Sequence, residues 1–157
     1  MFLLEFDRES MREPSEKQVA ALATASEMDL RYAYFQARVS LAADGFKTET
    51  FPVPLLDFTH CTLLAARSVA GGESGQISFT ESSMLIYFTP QGADVKVLRS
   101  WDPVSGSCGA EEFLEAASRF STEVLDHIID RYPEFRQNPY SEAIGRMVQG
   151  ITAARGK

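Results

Sequence analysis

Residues 76–103, QISFTESSMLIYFTPQGADVKVLRSWDP, constrain this chain more than any other stretch, because a strand–turn–strand pattern stands there between apolar helical patterns. Ile77 and Phe79 alternate with polar neighbours, Leu85 and Tyr87 oppose Ile86 and Phe88, and Val95, Val97, Arg99 and Trp101 share a side. A period of two is the signature of a strand. Thr89-Pro90-Gln91-Gly92-Ala93-Asp94 supplies a proline that fixes φ and a glycine that accepts a positive φ. Residues 84–89 and 93–101 are therefore expected to pair antiparallel through a short turn.

The flanking segments follow the same logic. Phe2-Leu3-Leu4-Glu5-Phe6 predicts a first strand, and Pro14 and Ser15 open a short helix running through Leu22. The alternation Leu30, Tyr32, Tyr34 changes parity to Phe35, Ala37, Val39, Leu41, the pattern of a β-bulge near Tyr34 and Phe35. Asp44-Gly45 turns the chain into residues 47–53 as a hairpin partner. Pro54 then precedes a helix over 55–70, stopped by Gly71-Gly72, whose polar positions Asp57, His60, Arg67 and Ser68 fall on one narrow side. Such a helix is mostly buried. Beyond the loop 105–109, Phe113, Leu114, Ala117, Phe120, Val124, Ile128 and Tyr132 recur at helical spacing until Tyr132-Pro133. Asn138-Pro139 has the form of a cap and a first-turn proline, and Tyr140, Ile144, Met147, Val148 and Ile151 complete a final amphipathic helix.

Strands in the first two-thirds and helices mainly at the end point to the α+β class: an antiparallel sheet of four or five strands, with two long helices and one C-terminal helix packed mainly on one face. The 157 residues, 45% of them hydrophobic, fit a single globular domain spanning 1–157. Acids outnumber Lys plus Arg by 22 to 15, for a net charge of −7, which disfavours nucleic acid and anionic membranes as partners. The apolar runs are too short to span a bilayer, and MFLLEFDRES lacks the basic start of a signal peptide, so the expected location is cytoplasmic. Cys61 and Cys108 stand far apart with no CxxC or histidine-rich neighbourhood, which reads as two buried thiols and implies neither metal nor cofactor.

The weak catalytic candidates are Asp57, His60 and Arg67, three and seven positions apart on one helix, since an acid can orient an imidazole. The set has no obvious nucleophile; Cys61 lies about 100° round the helix, and a serine of the 82–83 turn would have to be brought in by the tertiary fold. The plainer reading makes these residues the half-solvated edge of a buried helix, with Asp57 favouring its positive start. Gly72-Glu73-Ser74-Gly75 is no nucleophile elbow, because Gln76 replaces the last glycine and a helix precedes a strand. Glu123 and His127, four apart, lack the further ligands of a metal site and read as a solvated pair.

The least random feature is the helix over 110–130, where Glu112, Glu115, Glu123, Asp126 and Asp130 fall within about 80° of one another, opposite the apolar stripe, with only Arg119 among them. Asp126 and Asp130 are like charges one turn apart near the negative end of the helix dipole. Glu112, Glu123, Asp126 and Asp130 are accordingly the candidate partner-binding residues, against the plain alternative of a solvated face neutralised by Arg131 or Arg136. Trp101, in Trp101-Asp102-Pro103 at a strand end, joins them as a partner anchor, a type of residue enriched in interface hot spots; the plain alternative is a core tryptophan beside a turn.

The succession FPVPLLDF, FTESS, RSWDP and RYPEFRQNP resembles small bacterial proteins of toxin–immunity loci. The resemblance transfers no residue role and implies only a binding protein. The expected function is thus a non-enzymatic acidic binding protein, an inhibitor or immunity-type protein that engages a protein partner with a basic surface. The alternatives are a small enzyme with Asp57 and His60 as an acid–base pair, and a homo-oligomeric structural subunit.

Overall fold

The computed structural model describes residues 1–48, 51–79 and 84–155, and shows an α+β protein. In the first half, β1 (Phe2–Asp7) pairs antiparallel with β2 (Gln36–Ala43), and the other side of β2 takes two short strands, β3 (Phe46–Lys47) and β4 (Phe51–Pro54). Helices α1 (Glu16–Ala20) and α2 (Glu27–Tyr32) fill the β1–β2 connection, each started by a serine whose side chain accepts a backbone N–H, Ser15 from Gln18 and Ser26 from Asp29. Helix α3 (Leu55–Ala70) leads to a second antiparallel sheet in the order β5 (Gly75–Ser78), β6 (Leu85–Gln91), β7 (Asp94–Arg99), β8 (Ser105–Gly109). Helices α4 (Ala110–Arg131) and α5 (Pro139–Arg155) close the chain.

The central hairpin forms as the sequence predicts, with one shift. Gln91 and Asp94 close a two-residue turn in which Gly92 takes φ 65°, and Pro90 lies inside β6 opposite Val95 instead of in the turn. The closing pair takes both inter-strand bonds, so the Pro90 nitrogen faces away from β7, on the side where β5 has already ended opposite Phe88.

Three expectations are corrected. The expected loop over 105–109 is strand β8, paired antiparallel with β7. The parity change at Tyr34 and Phe35 is no bulge: residues 27–32 are helical, and buried Phe35 adopts φ 47° to turn the chain from α2 into β2. The strands also divide into two four-stranded sheets instead of sharing one. The reason lies in Phe51-Pro52-Val53-Pro54. Leu55 N–H donates to the Phe35 carbonyl at 3.0 Å, so period two sends the odd-numbered amides of β4 towards β2 and the nitrogens of Pro52 and Pro54 outwards. That open edge has no donor at either position, and no further strand can add there.

Among the described residues, the backbones of the two sheets bridge at one place, Asp44 with Ser107. A Cβ at Gly106 would lie 2.4 Å from the Phe46 Cβ, so only glycine lets β8 pass this close to β3. Phe2 of β1 also meets Phe88 of β6 edge-on at 6.2 Å, and the helices join the sheets further. Phe113 of α4 contacts Phe2 of the first sheet (ring centroids 5.2 Å apart) and Phe88 of the second (4.6 Å), while Phe120 meets Phe6 (5.8 Å) and Phe58 of α3 (5.7 Å). Alternating burial along β1 and β2 and the apolar faces of α3 and α4 thus share one core, with α5 packed on both long helices.

Candidate functional site: an aromatic cleft between the sheets

The blocked edge of β4 leaves a cleft of about 750 Å³ between the first sheet and the ends of β5, β6 and β7. Four rings line it in sequence: Phe58 of α3 lies 6.3 Å from Phe51, Phe51 5.1 Å from Phe79, and Phe79 6.4 Å from Trp101. Their largely edge-on arrangement is the favoured one for aromatic pairs. Phe58 is buried at the base, whereas Trp101 keeps 40% of its surface exposed at the rim. Pro52, Val53, Pro54 and Met84 add apolar wall.

Among the described residues, the charged groups lining the cleft are Lys47 and Arg99. Arg99 is held in place: its Nε donates to Asp102 Oδ1 at 2.7 Å, an Nη donates to the Lys47 carbonyl at 3.0 Å, and its guanidinium lies 5.0 Å from the Phe46 centroid and 5.5 Å from that of Trp101. Asp102 also accepts from Val104 N–H, and the Arg99 bond first, then this one, holds its carboxyl below the usual range. Trp101 therefore sits on a fixed turn.

The Asp57, His60 and Arg67 set serves other ends. Asp57 is buried and accepts from Arg31 Nε (2.9 Å) and Nη (2.7 Å), tying α2 to the first turn of α3. His60 shares a hydrogen bond with the Tyr140 hydroxyl (Nδ1 to oxygen 2.9 Å) and stacks on that ring, while Arg67 is exposed. Burial, then the Arg31 charge, keeps the His60 imidazole below its ordinary range, and burial pushes the Tyr140 phenol up. Neither Asp57 nor His60 lines the aromatic cleft or the shallower cleft beside Tyr140. The 82–83 serines lie outside the described residues. Cys61 is half-buried and Cys108 buried; burial raises both thiols, Cys108 to about 12.

The acidic face of α4 is largely committed within the fold. Glu112 accepts from Gly109 N–H at 3.1 Å, capping the helix, and lies 3.4 Å from the Met1 amino group. Glu115 pairs with Arg119 at 2.8 Å, and Glu123 stands between Arg8 (3.8 Å) and Arg119 (3.9 Å). Arg131 pairs with Glu13 and not with its own helix. Asp126 and Asp130 are exposed, with no ion pair among the described residues. His127 is no solvated partner for Glu123: its ring packs edge-on against Phe6, and Nε2 is buried without a hydrogen bond.

No protein-family model matches the chain, and no curated protein or solved structure matches it either.

The cleft is hard to see along the chain because its rings come from three separate segments, residues 51–58, Phe79 and Trp101. A local signal does exist. Two prolines at alternate positions in FPVP mark a strand whose outer edge is closed to hydrogen bonding, and Phe51 stands at the start of it. No helix among the described residues is long and apolar enough to cross a membrane.

Proposed function

We propose that this protein acts by binding and not by catalysis, and that the aromatic cleft is its recognition site. The observation that carries this reading is the cleft itself: a concave, mostly apolar space between strand ends, with an anchored guanidinium and a half-exposed tryptophan at the rim. Asp57 and His60 both stand outside the clefts, Asp57 bonded to Arg31 and His60 to Tyr140, which favours binding over the enzyme alternative. Trp101 is the single tryptophan, so its emission reports directly on the cleft. Titration of apolar small molecules should shift that emission saturably, F79A should abolish the shift, and H60A should leave it intact. A shift that survives F79A, or one lost in a folded H60A protein, would place recognition elsewhere.

A second reading keeps an inhibitor or immunity-type role, in which a partner with a basic surface meets the C-terminal end of α4. The exposure of Asp126 and Asp130 favours it, because unpaired acids at the negative end of a helix are an electrostatic liability alone and a steering device in a complex. Slower, less salt-dependent association of D126N/D130N with a co-purified basic protein is the expected result. Unchanged association would remove the acids from the interface.

A further inference from the structure

Building on the cleft as recognition site, we propose that its ligand is a small amphipathic carboxylate: an aryl or alkyl body held among Phe51, Phe58, Phe79 and Trp101, with its anionic head at Lys47 and Arg99. Size comes first. About 750 Å³ lies within the range of sites that enclose small molecules. The apolar body follows from the walls, where four rings in mutual contact present carbon surface from the buried Phe58 to the rim at Trp101.

The anionic head follows from the charges. In a chain of net −7, the described residues lining the cleft include two cations and no carboxylate. Lys47 is exposed and has no ion pair among the described residues, so its ammonium is free to meet a ligand. Arg99 is anchored by Asp102 through Nε and by the Lys47 carbonyl through one Nη, which fixes the plane of the guanidinium and leaves its other terminal amino group uncommitted. A pre-oriented guanidinium loses little freedom when a carboxylate arrives. The blocked edge of β4 also argues against a peptide strand as occupant. Pro52 and Pro54 present no N–H to the cleft, so an extended backbone finds no ladder there, and recognition must come from side chains.

The test uses the full chain and three probes that share one body: 4-phenylbutyrate, 4-phenylbutanol and 4-phenylbutylammonium, followed by Trp101 emission and calorimetry at low salt. The carboxylate should bind at least about tenfold more tightly than the alcohol, as expected for a charge-assisted pair in a partly desolvated site, with the amine weakest. K47M should narrow the carboxylate's advantage to a few-fold without changing the alcohol's affinity, and 0.5 M salt should act in the same direction. Equal affinity for carboxylate and alcohol would overturn the ligand class while leaving the cleft as the site, as would a preference for the amine. Failure of all three probes to shift Trp101 at millimolar concentration would overturn the cleft reading as well. Because Lys47 is exposed, K47M is expected to fold, and retained alcohol binding verifies it.

Discussion

Replacing Asp57 by Asn separates a structural acid from a catalytic one. Asp57 Oδ1 receives two donors from Arg31, with side-chain exposures of 7% for Asp57 and 20% for Arg31. Removing one member of a fully buried pair costs about 3–5 kcal/mol, because the remaining charge stays desolvated. Arg31 retains some solvent and a second carboxylate, Glu27 at 3.4 Å, so the expected loss is smaller, about 2–3 kcal/mol. For a chain of this length that corresponds to a fall in Tm of roughly 4–12 °C. Urea unfolding should show a lower midpoint at unchanged m-value. The double variant R31M/D57L should recover part of the loss, since the Arg31 guanidinium is then no longer desolvated without its carboxylate. A D57N protein as stable as the parent, or more stable, would refute the argument and mark Asp57 as a residue held in place for function at a cost in stability.

Three further outcomes are expected. F120A should lose about 3–5 kcal/mol, because the ring is fully buried between Phe6 and Phe58, and a loss under about 1 kcal/mol would show that this face is not core. Stability should fall as pH drops below the ordinary histidine range near 6.5: burial holds His60 and His127 below that range, reinforced by Arg31 and Arg131 respectively, so the unfolded chain takes up protons that the folded one refuses. Each histidine adds at most about 1.4 kcal/mol per pH unit, and a flat urea midpoint between pH 7.5 and 5.5 would contradict the burial of both rings. D126N/D130N should slightly raise the urea midpoint by relieving repulsion along α4, and adding E123Q should reduce that gain because Glu123 stands near Arg8 and Arg119; a lowered midpoint for the double variant would mean that these acids are satisfied within the fold.

Local periodicity determined most of the elements. The helix over 55–70 has its expected ends because Pro54 and Gly71-Gly72 act through backbone geometry alone, and the hairpin closes at Gly92 for the same reason. Parity along Phe2, Leu4 and Phe6 likewise settles which face of β1 is buried. Where period two and period 3.6 overlap over a few residues, as at Leu30, Tyr32 and Tyr34, local pattern misleads: Ser26 caps a short helix there, and the docking of Leu30 and Tyr34 into the core keeps it. The role of Asp57 was beyond local reading, since its partner Arg31 lies 26 residues away. The same holds for the acidic face of α4, where Arg8 reaches Glu123 from the turn after β1. The division into two sheets and the cleft between them depend on which side of β2 the FPVP strand occupies, and that is set by pairing energies summed across distant segments. A sequence pattern specifies the face each residue presents, whereas only the folded chain decides which faces meet.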